Sequence, residues 1–487
     1  MRRETMRAMQ PATTPVMRPV FQPRREFLRR SAVAAAVFGL PMAKAEQYFG
    51  GDTAGPAMPP RELLDTDAER YWAELRRQWL LAADRINLNC GSVGCTPLPV
   101  LRAMIDHILN AESYREQPYP WFGYEENTRL RELRDALSAF IGCKRDELAL
   151  VRNATEANNV VCNGLDMRPG EEALLSDQEH PGGKCCWEQK AARFGIKLNW
   201  VALPKPPASK DEIVERFKRA LRPKTRIIVF SHITTVTGVI LPVKEICAMA
   251  RERGVLTHVD GAHAIGQLPL DMHDLGCDFY ASSPHKWLMA PKGTGFLYVR
   301  EELCGKLWVN IASGEWRNYE QKAYRFSNLG TSNLSVMVGL KAALDFVQQI
   351  GPERIYARGH QLATRVRDQV AKYPDRMKTV NASKDEFFGT LVSFEPVPAV
   401  ELGATTGGLA PIAQACAARG IRVAGGAERI RIASHIFTQP TELTAFFDAM
   451  DAAIRAGVAG AAWCSVAEVP GRTNEAGGRG LRAGNRA

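Results

Sequence analysis

Val259–Asp260–Gly261–Ala262–His263, then Ser283–Pro284–His285–Lys286, then Pro291–Lys292–Gly293–Thr294–Gly295 decide how this chain is read. An acid and a lysine stand in that order between short apolar runs. A lysine able to form a Schiff base with an aldehyde, and a carboxylate able to hold a pyridine nitrogen protonated, are what a pyridoxal phosphate (PLP) site requires. A lone lysine is more often a surface charge. Here it follows Ser-x-His and precedes a Gly-rich segment, which marks it out. Asp260 closes an apolar run, where a buried acid is costly unless a cation meets it. A protonated ring nitrogen is such a cation; capping a helix from Ala262 onwards is another use of the same side chain.

Outward from this stretch, helical and strand patterns alternate between about 127 and 335. Helical runs such as Leu130–Ile141 and Lys210–Leu221 separate short strands. The strands are Ala149–Arg152, Ala173–Leu175, Lys197–Val201, Arg226–Ser231, Leu256–Val259, Phe279–Ala281 and Gly295–Val299. Such alternation predicts an α/β fold whose mostly parallel sheet is sandwiched by helices. Before it, a helix is expected from Asp65 to Trp79, with Tyr71, Leu75 and Trp79 four apart, and Pro97 opens another. After it, helix Ser335–Gln349 leads to a smaller α+β unit. Its strands are Phe388–Phe394, Gly420–Val423 and Arg429–Ala433, with helices Leu409–Arg419 and Thr441–Ala456. The expected organisation is an N-terminal arm and linker at 46–95, a large domain at 96–335, a small C-terminal domain at 336–465 and a disordered tail at 466–487.

The formal charge of +10 points less to nucleic acid than it first suggests. Residues 1–45 hold nine of the basic and two of the acidic side chains, leaving 54 against 51. No nucleic-acid partner is expected from so balanced a chain. Within 1–45, Arg24–Arg25–Glu26–Phe27–Leu28–Arg29, an apolar run from Ala32 to Leu40 and Ala43–Lys44–Ala45 fit a twin-arginine signal peptide in the correct order. A basic disordered N-terminus is the plainer alternative. The apolar run is too short for a permanent membrane anchor. The expectation is folded export by the twin-arginine machinery, a mature chain from about Glu46, and a periplasmic location. Eleven cysteines show no CxxC pair, so no metal site is expected.

With these residues in view, the chain resembles the class-V aminotransferase family of PLP enzymes of fold-type I, from about Asn87 to Ala456. The resemblance implies Lys286 as the Schiff-base lysine, Asp260 as the pyridinium partner, and Ser283 and His285 as helpers at the cofactor phosphate. It implies that His180 lies flat on the ring and that His263 faces the phenolic oxygen; a solvent-facing and a structural histidine are the respective alternatives. Arg152–Asn153–Ala154–Thr155–Glu156 opens a helix whose first amides and Thr155 hydroxyl make an anion cradle. The match implies Ala154 and Thr155 as phosphate contacts. Phe326–Ser327–Asn328–Leu329–Gly330–Thr331 resembles a segment whose Thr reaches the neighbouring subunit's phosphate, so Thr331 implies a homodimer with shared active sites. Arg431 resembles the residue that grips a substrate carboxylate, a bidentate task suited to guanidinium. Asn89 and Ser92 are candidate secondary substrate contacts.

Two departures narrow the reaction. Ala424–Gly425–Gly426–Ala427–Glu428 carries no cysteine where desulfurases and selenocysteine lyases place their nucleophile, and Cys416 falls within the preceding helix. Thr235 stands where desulfurases have an Asn facing the cofactor, a pattern similar to the isopenicillin N epimerase-like branch. The expected function is PLP chemistry at the α-carbon and amino group of an amino-acid-like substrate, of aminotransferase or epimerase type. A C–S or other β-lyase without a cysteine nucleophile, and a PLP- or partner-binding fold without turnover, are the competing readings. No Gly-x-Gly-x-x-Gly or P-loop motif supports a nucleotide site.

Overall fold

The computed structural model describes residues 56–116, 121–122, 125–381, 384–397 and 408–459. The expected signal peptide and tail lie outside the described residues. Seven strands form the main sheet: β1 Leu148–Val151, β2 Glu172–Ser176, β3 Lys197–Val201, β4 Thr225–Ser231, β5 Leu256–Asp260, β6 Phe279–Ser282 and β7 Gly295–Val299. Their spatial order is β1-β7-β6-β5-β4-β2-β3. Every pairing is parallel except those of β7, which runs antiparallel to both β1 and β6.

The period-2 alternation of strand side chains splits the apolar residues between two cores. Leu148, Leu150, Leu174, Ile228, Phe230, Val259, Tyr280 and Phe296 face one side. Their neighbours Ala149, Val151, Ala173, Leu175, Ile227, Val229, Phe279 and Leu297 face the other. Both faces are buried, so the inner strands read as continuous apolar runs. Removing a fully buried side chain such as Phe230 from water stabilises the fold by about 1.5–3 kcal/mol. Asp260 points to the second face, beneath the helix Ala154–Gly164.

A second sheet is built from β8 Met377–Thr379, β9 Leu391–Pro396, β10 Ala424–Gly425 and β11 Ile430–Ala433, in the order β8-β9-β11-β10 and antiparallel throughout. Its core includes Leu362, Val366, Phe394, Ile432 and Phe446.

Several expectations shift. The first helix breaks into Leu63–Thr66 and Ala68–Leu75, because Asp67 leaves helical geometry (φ −156°, ψ 76°) and caps the second piece by accepting from the Arg70 amide. The strand expected from Phe388 starts at Leu391, since the Thr390 amide is donated to Gln267 rather than to a neighbouring strand. The strand near 420 is Ile421–Arg422; it leaves the arginine strand and pairs in parallel with Ile86–Asn87 of the N-terminal arm. The 19-residue helix Pro352–Val370 has no counterpart in the sequence reading.

Candidate active site

The carboxyl-terminal ends of the parallel strands gather most of the candidate residues, the usual place for a ligand in an open α/β sheet. Asp260 ends β5. Its Oδ1 accepts from the Ala262 amide at 3.0 Å and its Oδ2 from Asn158 Nδ2 at 3.0 Å. Among the described residues no cationic side chain forms an ion pair with it, although it is only 6% exposed. A carboxylate so placed calls for a cation from outside the chain. Asn158 Oδ1, beside it, is also buried without a hydrogen-bond partner.

Lys286 follows β6. Burial, reinforced by Arg431, pulls its ammonium down to about 8 against the opposing pull of Asp260. That leaves an amine that gives up its proton just above neutral pH, suited to attack on an aldehyde, within electrostatic reach of Asp260 but forming no ion pair with it. Among the described residues, the one hydrogen-bond partner of Lys286 Nζ is His263 Nε2, at 3.3 Å. The arm loop lies directly against this segment: the Gly94 amide donates to the His285 carbonyl at 3.0 Å. A Cβ at Gly94 would sit 2.0 Å from the Lys286 carbonyl oxygen, so only glycine permits the approach.

The anion-binding end is assembled from three elements. Asn153 caps the helix Ala154–Gly164 by accepting from the Glu156 amide. The Ala154 amide donates to Ser283 Oγ at 2.9 Å, which ties helix start to lysine loop and leaves Thr155 as the open contact. A Cβ on Gly182 would lie 2.6 Å from Thr155 Oγ1 and 3.1 Å from His180 Nδ1; the glycine keeps a cleft between hydroxyl and imidazole. His285 Nδ1 lies 3.1 Å from the Thr294 carbonyl. Because a carbonyl only accepts, Nδ1 carries the hydrogen.

His180 caps the helix Pro181–Phe194, its Nδ1 accepting from the Gly182 amide at 2.9 Å. Partial desolvation, Lys286 and Arg431 lower its pKa while Asp260 resists, so its electrostatic neighbours are those of the site. Behind it, the buried Glu179 accepts from Ser176, from the Ser231 amide at 3.1 Å and from Ser231 Oγ at 2.7 Å. Burial drives its carboxyl up to about 7, and Asp260 adds to the effect.

Arg431, on β11, reaches the same space from the second sheet. Nη1 donates to the Thr235 carbonyl at 3.1 Å and to Thr235 Oγ1 at 2.8 Å; Nη2 donates to Asn89 Oδ1 at 3.3 Å and Ser92 Oγ at 3.1 Å. Strand-like pairing of Asn89 with Ala433 delivers the arm residues to it. Nε is buried without a partner, and no described carboxylate pairs with the guanidinium. Burial, then Arg429, lowers its pKa to about 10. Thr235 is thus engaged with the arginine. Thr331 stands apart, exposed in the bend after Gly330.

The charge set fits PLP: an unpaired acid for the ring nitrogen, a softened lysine for the aldehyde, and a glycine-lined cleft at a helix start for the phosphate. No described group of three or more His, Cys, Asp or Glu could hold a metal ion, and no described helix is long and apolar enough to cross a membrane. The ten described cysteines are free.

The model of one family, aminotransferase class-V, matches residues 94–459. The chain belongs to the aminotransferase class-V family. Among class-V relatives, isopenicillin N epimerase of Streptomyces clavuligerus is 33% identical over 78% of this chain and 98% of that protein. A probable cysteine desulfurase of Methanothermobacter thermautotrophicus is 29% identical over 59% of this chain and 73% of its own. Among solved structures, a C-DES variant with glycine covalently linked to its PLP cofactor aligns at a TM-score of 0.66 and 26% identity, covering 77% of this chain and 98% of that one. These relatives place the fold in the PLP enzymes of fold-type I. Four site features escaped the sequence reading: Asn158, the Glu179 serine pair, Gly94 and Trp287. Asn158 lies one turn beyond Thr155 on the same helix, and that spacing was the available signal.

Proposed function

We propose that this class-V enzyme binds an amino acid between Arg431 and Lys286 and acts at its α-carbon and amino group, as an aminotransferase or epimerase-like enzyme. The observation that carries the proposal is the half-buried Arg431 guanidinium, free of any described carboxylate and oriented by the neutral acceptors Asn89, Ser92 and Thr235. Such a fork is matched by a substrate carboxylate. When bound, PLP supplies an electron sink for the negative charge left at the α-carbon. Lys286 holds the cofactor and, once free, takes and returns the α-proton; its softened basicity suits that work near neutral pH. Asp260 keeps a positive charge opposite it, with Asn158 fixing the carboxylate plane. His180 limits tilt above the site.

Sulfur transfer through a cysteine is disfavoured. Ala424–Gly425 is paired in the second sheet, and Cys416 is buried, its thiol pushed up to about 11. The exposed Ile105, Ile108 and Leu109 on one helix, together with the exposed Thr331, support a homodimer that completes each site. The order of motifs in residues 1–45 supports twin-arginine export to the periplasm.

Borohydride reduction followed by peptide mass spectrometry should place the PLP adduct on Lys286. A panel of amino acids scored for keto acid, inverted chirality and sulfide then separates transfer, epimerisation and elimination. Sulfide as the sole product would favour the cysteine-free lyase. An adduct on another side chain, or none, would end the proposal.

A further inference from the structure

Lys286 is followed by a tryptophan that the chemistry above does not use. Trp287 is 2% exposed, and its Nε1–H donates to His263 Nδ1 at 3.1 Å. An indole N–H can only donate, so Nδ1 of His263 is the accepting nitrogen. The His263 ring is buried; desolvation first, then Lys286, Arg431 and His180, hold its pKa well below the usual imidazole value, and a ring that accepts at Nδ1 is neutral. A neutral imidazole that accepts at Nδ1 carries its hydrogen on Nε2, the atom 3.3 Å from Lys286 Nζ.

Trp287 is in turn held by the loop that follows β11. His435 stacks on it, centroids 5.6 Å apart and planes 18° apart, and Phe437 stacks on His435 at 5.2 Å. The Ile436 amide donates to His435 Nδ1 at 2.9 Å, which leaves the hydrogen on Nε2 to meet the Trp287 carbonyl at 3.1 Å. Each ring's tautomer is therefore decided by a neighbour with only one role to play.

We infer that Trp287 is a positioning residue that fixes His263 as a hydrogen-bond donor toward the Lys286 nitrogen, so that this nitrogen is held as an acceptor with its lone pair available. The other charged groups facing the lysine are Asp260 on β5, which favours protonation, and Arg431 on β11, which opposes it. His180 and His285 lie within electrostatic range as well. The donor on His263 adds to the opposing side. Without the indole N–H, the imidazole is free to turn its lone pair toward the lysine and welcome a proton there. The optical consequence rests on Lys286 being the PLP lysine; the tautomer does not.

Two measurements on the full-length holoenzyme test this. In ¹⁵N-histidine NMR, with His263 assigned by its loss in His263→Gln, the wild type should show a bare Nδ1 and a protonated Nε2 between pH 6 and 9. The visible band of bound PLP should titrate with a midpoint that rises by about one pH unit in Trp287→Phe, the tenfold change set by one net hydrogen bond. A hydrogen on Nδ1, a doubly protonated ring, or an unmoved or lowered midpoint would overturn the inference. If Trp287→Phe does not fold, the wild-type tautomer decides alone. Lys286→Ala serves as the control: a band that survives it refutes the cofactor assignment and leaves the tautomer result standing.

Discussion

Replacing Arg431 by methionine removes the fork while keeping much of its length. The guanidinium now holds Thr235 through Nη1 and the Asn89–Ser92 pair through Nη2, and its Nε–H is buried and unmet. A substrate carboxylate that displaces these neutral acceptors would make two charge-assisted bonds to it, each contributing about 1.5–3 kcal/mol. Their loss lowers kcat/KM roughly a hundred- to ten-thousandfold, chiefly through KM. Stability should change by no more than about 1 kcal/mol, because a half-buried cation without a counter-ion is itself costly to keep. The assay takes whichever amino acid the panel shows to be turned over, fits kcat and KM, and measures PLP affinity by equilibrium dialysis alongside a urea midpoint. PLP affinity should stay within about threefold of wild type. A parallel fall in PLP affinity and kcat/KM, or an unchanged KM, would show that Arg431 braces the arm and does not grip substrate.

Asp260→Asn removes the charge but keeps the Asn158 contact, and should cost about two to four orders of magnitude in turnover while PLP remains bound; turnover within tenfold of wild type contradicts its role. Glu179 holds its proton up to about pH 7 in the folded chain against 4.5 unfolded, so the stability it adds is complete below about 4.5 and fades as pH rises through 7. Urea midpoints at pH 5 and 8 should therefore fall further in wild type than in Glu179→Gln, and equal falls would remove the argument. Gly94→Ala forces a Cβ against the Lys286 carbonyl and should lower both the unfolding free energy, by about 2 kcal/mol or more, and PLP occupancy; a silent substitution would show that the loop simply shifts.

The main sheet is legible in the sequence because parallel inner strands are apolar on both faces and end in polar loops. Lys197–Val201 and Gly295–Val299 match to the residue. Pairing decided at long range is not legible there: nothing local tells Ile421–Arg422 to prefer the arm over β11. Helix Pro352–Val370 was hidden by its many charges, although Ile355, Leu362, Val366 and Val370 form its buried stripe. Within the site, Asp260 and Lys286 stood out because acid and lysine flank apolar runs. Asn158, Gly94 and Trp287 did not, since an amide, a glycine and an indole acquire their meaning only from what lies across the fold.

The pairing of the arm with β11 has a consequence for how the protein is made. Every group of the lysine pocket from Thr155 to Thr294 leaves the ribosome before the strand bearing Arg431, and domains generally fold as units from the amino terminus. Asn89 and Ser92 emerge early and wait, without their guanidinium, until the last strand arrives to close the loop over them. A nascent chain can thus capture its vitamin-derived aldehyde before it is able to select what that aldehyde will act upon.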